Sequence, residues 1–290
     1  MPQYDYLYLG DNARAPYGPR SFEVVYEFTL QAVRHLFDCG CPLVILACNT
    51  ASAKALRTIQ QHDLPVINNE NVNENDNENV NVNENDNLFS IRNANTTGGN
   101  VNVNVFVPAK KNVLGVVRPT VEIVPALTST RHIGVMATEG TIRSNTYTLE
   151  LAKLAPDIVV TGQACPMWVP LIENGEADSP GADYFVRKYL DQLLQRDPLI
   201  DAIILGCTHY PLLINKIRQY TPAHIHLIPQ GEYVARSLAD YLRRHADMEA
   251  SITRGGTARF LTTEHPDSFA ASATRFLDQP IHAEHTTLNA

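Results

Sequence analysis

The sequence is short of positive charge, of paired sulfur and of long apolar runs. Its 290 residues carry 23 Lys and Arg against 31 Asp and Glu, a net charge of −8 at pH 7. A general nucleic-acid binder needs a basic footprint to displace counterions from phosphate, so nucleic acid is not an expected partner. The cysteines number five, at Cys39, Cys41, Cys48, Cys165 and Cys207. An odd, scattered set does not make a secreted disulfide framework and suits a reducing compartment. No apolar run approaches the ~20 residues of a membrane span. The opening MPQYDYLYLG lacks the basic and then apolar segments of a signal peptide. The expectation is a soluble cytoplasmic protein with no membrane partner.

Sequence signatures of bound cofactors are missing too. Neither G-x-x-x-x-G-K-[ST] nor G-x-G-x-x-G occurs, so nucleotide binding has no motif behind it. None of the six lysines is marked as a Schiff-base lysine. Cys39 and Cys41 form C-G-C at a helix end, but a metal site needs further ligands at suitable spacing. No cofactor and no metal are expected.

What is present is a repeating strand-then-helix pattern. Apolar, β-branched runs at Tyr4 to Gly10, Pro42 to Ala47, His132 to Met136, Asp157 to Val160 and Ala202 to Leu205 alternate with stretches of helical period. The first helix is signalled by Phe22, Val25, Thr29, Val33 and Leu36. Runs such as LVILA and AIIL are nearly all apolar, which suits parallel strands covered on both faces. The expected fold is α/β with two similar lobes, each a mostly parallel sheet flanked by helices, and a site in the cleft between them. The expected boundaries are 1–126 for the first lobe, 127–221 for the second, and 222–290 returning to complete the first.

One tract breaks the pattern. From 66 to 112 the chain turns polar, with Asn at 11 of the 20 positions from Asn68 to Asn87 and six acids among them. Asn competes with regular backbone bonding and brings little apolar area to offset chain ordering. The tract reads as a low-complexity, disordered insertion splitting a short strand, with LPV before it and VLGVV after it. EF-hand spacing for Ca²⁺ is absent, and a β-stacking role for VNVNVF is the weaker reading.

Two cysteines stand out by their matched settings. PLVILACNTASAKAL and DAIILGCTHYPLLINKI each carry an apolar strand ending in Cys, then Thr within two residues, then a helical stretch. Open α/β sheets bind ligands at the carboxyl ends of their strands, which is where Cys48 and Cys207 fall. Unpaired N–H groups at a helix start favour a thiolate. Either Cys alone reads as a small buried hydrophobe. Two in matched places suggest sulfurs on opposite faces of one substrate, one removing a proton from carbon and the other returning it. A Cys207 nucleophile with His209 as base is the rival chemistry, and a purely structural His209 is an even alternative.

The segments GDNARAPYG, LACNTAS, GVMATEGTIRSNTY, ACPMWVPLIENGE and LGCTHYPLL, together and covering nearly the whole chain outside the insertion, resemble the cofactor-independent glutamate racemases of the aspartate/glutamate racemase superfamily. The resemblance implies interconversion of L- and D-glutamate, supplying D-glutamate for peptidoglycan, with Cys48 and Cys207 as the catalytic pair. Cys48 would serve the D-glutamate face and Cys207 the L-glutamate face. It implies substrate contacts at Tyr17, Gly18, Asn49, Thr50, Thr208 and His209, and at Thr138 and Thr141 of the threonine motif. Thr138 is equally well explained as a helix cap. Backbone N–H and hydroxyl donors at helix starts suit a ligand with two carboxylates. Glu173 matches an acid that assists the second cysteine beside His209. A homodimer is left open.

One departure accompanies the resemblance. Family members carry an earlier strand ending in Asp-Ser-Gly, and the sequence begins after it. Asp5 and Asp11 do not match that acid, and Asp11 reads as a turn acid near Arg14. The alternative function is therefore an impaired or inactive homologue that at most binds a dicarboxylate amino acid. Cys165 reads as a core or helix-entry residue.

Overall fold

The computed structural model describes residues 1–75, 110–277 and 279–288. In chain order the first part holds β1 (Tyr6–Gly10), α1 (Phe22–Asp38), β2 (Leu43–Leu46), α2 (Asn49–Lys54), α3 (Leu56–Thr58), α4 (Leu64–Asn75), β3 (Asn112–Gly115) and α5 (Val117–Ile123). Next come β4 (His132–Ala137), α6 (Glu139–Arg143), α7 (Thr146–Leu154), β5 (Val159–Ala164), α8 (Trp168–Glu173), α9 (Pro180–Arg196), β6 (Ala202–Gly206), α10 (Ile214–Tyr220) and β7 (His226–Pro229). The chain continues through α11 (Gly231–Arg244), α12 (Ala246–Ala250), β8 (Ala258–Thr262), α13 (Pro266–Leu277) and β9 (Glu284–His285).

All strand pairings among the described residues are parallel. One sheet has the order β5-β4-β6-β7, a second pairs β2 with β3, and a third has the order β1-β8-β9. Parallel neighbours need crossovers, which the helices supply, and this is the α/β architecture the alternating pattern leads to. β6 is buried along its whole length, as expected of a strand with neighbours on both edges and helices on both faces. β2 is only alternately buried, because among the described residues it has one strand neighbour, β3. In α1 the buried stripe is Val25, Thr29, Val33 and Phe37, at spacings of four, while Phe22 lies exposed.

Three sequence expectations need correction. LPV is not strand: Leu64 to Val66 open α4. Leu64 and Ile67 are buried and Val66 is half exposed, so burial follows the i, i+3 period of a helix rather than alternation. The chain enters α4 directly from a π-helical turn at Ile59–Asp63, and Pro65 sits where that wider turn gives way to α4. The reading of 66–112 as one loop fails at both ends, since 66–75 are helical and Asn112 begins β3. The acids from Asp76 onward and the VNVNVF tract lie outside the described residues.

The lobe boundaries also shift. α5 packs into the core of the four-stranded sheet through Val117 and Val121, and β7 pairs with β6. The elements serving that sheet therefore span 117–229 rather than 127–221, and the return begins after Pro229. β8 then pairs with β1, so the last segment joins the first strand of the chain.

Candidate active site

The strand ends place the candidate residues. In the four-stranded sheet Ala137 of β4 is level with Gly206 of β6, so Thr138 and Cys207 leave adjacent strands at the same edge. Cys165 follows β5 and Gln230 follows β7 at that edge. In the first part of the chain Cys48 stands just beyond β2, at the N-cap of α2. Carboxyl ends of parallel strands are where open α/β sheets gather ligand-binding groups, because the loops there are free to diverge from the scaffold.

Cys48 is half-buried and Cys207 is buried. Burial raises the Cys48 thiol above its ordinary value, while the N–H groups of Ala51 and Thr50 and the Thr50 hydroxyl bond to the sulfur and pull the other way. Burial likewise pushes Cys207 up to about 12, opposed by N–H groups of His209 and Thr208 and reinforced by negative charge on Cys48 and Glu173. The two sulfurs are thus within electrostatic reach of each other. Burial thus favours the neutral thiol at both positions.

Near Cys207 the ring of His209 stands between the sulfur and Glu173. His209 Nδ1 lies 3.8 Å from the Cys207 sulfur, and His209 Nε2 lies 2.5 Å from Glu173 Oε1. Glu173 ends α8, and the turn after β6 brings His209 across to it. Thr208 is exposed and contributes its backbone N–H to the sulfur.

Around Cys48 the groups are hydroxyls and amides. Thr50 Oγ1 lies 2.9 Å from Thr138 Oγ1 and 3.2 Å from Thr141 Oγ1, and the last two are 3.1 Å apart. With the Thr50 hydrogen given to the Cys48 sulfur, the Thr50 oxygen is left to accept from Thr138 or Thr141, and turning a threonine hydroxyl outward offers a donor to a carboxylate. Thr138 also caps α6 by accepting from the Thr141 N–H, the role its place before a helix suggests. Gly18 packs against Thr138: a Cβ on Gly18 would stand 3.1 Å from the Thr138 Cβ. Tyr17 donates its hydroxyl hydrogen to Asp11. Asp11 also accepts from Arg14 Nε at 2.8 Å and from Thr263 Oγ1 at 2.9 Å, so the turn acid near Arg14 anchors the Tyr17 ring as well.

Asn49 is buried in a network that the sequence reading did not contain. It donates to Gln230 Oε1 at 2.6 Å and accepts from the Tyr147 hydroxyl at 2.6 Å. Gln230 Nε2 in turn donates to Thr120 Oγ1 and to the Tyr147 oxygen, each at 2.7 Å. Gln230 was detectable in principle, as the first residue after an apolar strand ending in Pro229, but that short strand was not recognised. Cys165 is buried at the entry to α8, as expected. Cys39 and Cys41 are free thiols at the end of α1. No cluster of three or more metal-ligating side chains occurs among the described residues.

Known proteins are similar to this chain in sequence and fold. Residues 108–251 match the Asp/Glu/Hydantoin racemase family. A glutamate racemase of Dinoroseobacter shibae is 36% identical over 97% of this chain and 89% of its own length. One of Roseobacter denitrificans is 35% identical over 97% and 90%. Among solved structures, a glutamate racemase isoform from Bacillus anthracis superposes with a TM-score of 0.76 at 28% identity, covering 99% of this chain and 90% of that one. The Francisella tularensis glutamate racemase in complex with D-glutamate gives 0.75 at 26% identity, covering 100% and 90%. With two sulfurs at matched strand ends and relatives of this similarity along nearly the whole length, the chain belongs to the glutamate racemase family.

Proposed function

We propose that the protein interconverts L- and D-glutamate by moving the α-proton between two sulfurs, Cys48 and Cys207. The observation that carries this reading is the placement of one Cys after β2 and one after β6, close enough for the charge of one to act on the other. A thiolate on one side takes the α-proton and becomes a thiol. The carbanion is then protonated on its opposite face by the other thiol, which becomes the thiolate. No electron is gained or lost, and the sulfurs exchange roles after each turnover.

Burial raises both thiols, and the substrate itself supplies the opposing charge. The substrate carries an α-ammonium group, and positive charge beside a sulfur favours its ionised form. His209, between Cys207 and Glu173, is suited to take the Cys207 proton and pass it back. Thr50, Thr138 and Thr141 supply hydroxyl donors for a carboxylate, Asn49 and Thr208 follow the two cysteines, and Gly18, beside Tyr17, packs against Thr138.

Two lobes meeting at this cleft, a cytoplasmic setting and delivery of D-glutamate for peptidoglycan complete the reading. Sedimentation of the purified chain reads the homodimer. The deciding experiment follows the circular dichroism of L- and of D-glutamate with the wild type, Cys48→Ala and Cys207→Ala. Loss of rotation with the wild type alone supports the proposal. A constant signal with the wild type, alongside calorimetric binding and no α-deuterium uptake in deuterated water, would instead identify an inactive dicarboxylate-binding homologue.

A further inference from the structure

Lys54 ends α2 as a helix-surface lysine would in sequence, yet it is only 8% exposed. It lies one helical turn beyond Thr50, on the same face of the helix. Its Nζ donates to the Arg20 carbonyl at 2.6 Å. The Arg20 N–H in turn donates to the Tyr17 carbonyl at 3.1 Å, so residues 17–20 form a turn whose far end is held by the amine.

The other side of this turn is closed by α6. A Cβ added to Gly140 would stand 2.4 Å from the Gly18 carbonyl oxygen and 3.0 Å from Lys54 Nζ. Only a residue without a side chain lets α6 come so close to the turn and to the amine. The turn is therefore clamped between α2, which follows the Cys48 strand, and α6, which follows Thr138. A cation at a helix C-terminus gains from the helix dipole without leaving water. Burying it carries a desolvation cost that this gain does not explain. Burial lowers the Lys54 pKa, with Arg143 adding to the shift and Glu23 opposing it.

We propose that Lys54 is a positioning residue for the turn that carries Tyr17 and Gly18, pinning it between α2 and α6 and so setting how tightly the amino-acid substrate is held. The proposal rests on the racemase reading and on Tyr17 and Gly18 as substrate contacts. Lys54 does not reach the reacting carbon. The sulfurs are held by strand ends that its removal leaves in place, so binding should suffer and chemistry should not. Such a loss of uniform binding raises KM with kcat little changed.

The test uses the full chain as Lys54→Met, Lys54→Arg and Gly140→Ala. KM and kcat are read with L- and D-glutamate, and backbone hydrogen exchange across 17–20 is read without substrate. Lys54→Met is expected to raise KM about tenfold with kcat within about threefold, and to speed exchange across the turn. Lys54→Arg, which keeps a donor, should recover part of the loss. Gly140→Ala keeps the amine but pushes on the Gly18 carbonyl, and should shift KM and exchange in the same direction. It carries the test if Lys54→Met does not fold. An unchanged KM, with or without faster exchange, overturns the proposal, as does a fall in kcat at constant KM. A wild type that does not racemise glutamate defeats the racemase reading instead, and the exchange measurement still reports whether the turn is pinned.

Discussion

Asn49 Nδ2 donates to Gln230 Oε1 at 2.6 Å, joining the residue after Cys48 to the residue after β7 across 181 positions of sequence. Both side chains are buried, and with Tyr147 and Thr120 they form a connected set that ends on the Val116 carbonyl, to which Thr120 donates. Such a set stabilises only while complete, because a partner left unpaired in the interior keeps its desolvation cost.

Gln230→Leu removes the centre of that set. It strands the Asn49 amide and leaves two hydroxyls short of a partner. A stability loss of about 1–3 kcal/mol is expected in urea unfolding, together with reduced turnover as Asn49 shifts beside Cys48. Unchanged stability would show that water replaces the amide without cost.

The His209 and Glu173 pair should behave as one unit. Glu173→Gln and His209→Asn are each expected to lower kcat by roughly 10²-fold or more, in the range of general acid–base contributions. The double variant should be little worse than the poorer single one, since residues acting in series are not additive. Additive losses would separate their roles.

Thiol reactivity tests the electrostatics of the empty cleft. With the Cys207 thiol at about 12, its thiolate fraction should rise about tenfold for each pH unit between 8 and 10. Iodoacetamide labelling of Cys207, read by peptide mass spectrometry, is expected to follow that slope without a plateau. Exposed Cys39 should label first. Saturation near pH 9 would place the thiol much lower, and a saturating glutamate concentration should suppress Cys207 labelling by occupying the cleft.

Acid stability is tied to Asp5. The Thr253 side chain, the Thr257 hydroxyl at 2.7 Å and the N–H groups of Thr257 and Gly255 at 2.9 Å each donate to its carboxylate, and these hydrogen bonds hold its pKa far below the ordinary value. A depressed folded-state pKa gives stability that is complete above the unfolded value of about 3.9 and is lost as pH falls toward the folded value. Asp5→Asn should therefore unfold at a lower temperature than wild type at pH 7, and the gap should narrow as the pH drops below 4. A gap independent of pH would trace the effect to shape rather than charge.

Much of the fold was legible because it is written in local pattern. The strand-then-helix alternation, the fully buried AIIL strand and the cysteines at strand ends follow from periodicity and from the rule for parallel sheets. The segment LPV is instructive, since two apolar residues around a proline fit either period, and only the buried partners of Leu64 and Ile67 decide between them. The short strand HLIP, with His226 exposed and Pro229 within it, gave too little apolar signal to be recognised, and Gln230 went with it.

The sequence by itself determined the α/β class, the matched placement of Cys48 and Cys207 and the family resemblance, since each depends on residue types at short, fixed spacings. Only the tertiary structure decided that Lys54 is buried under the Tyr17–Arg20 turn, that His209 meets Glu173, and that Asn49 meets Gln230. Those contacts join residues 34, 36 and 181 positions apart. A side chain's burial and partner at such distances are set by how sheets and helices pack, and no local pattern encodes them.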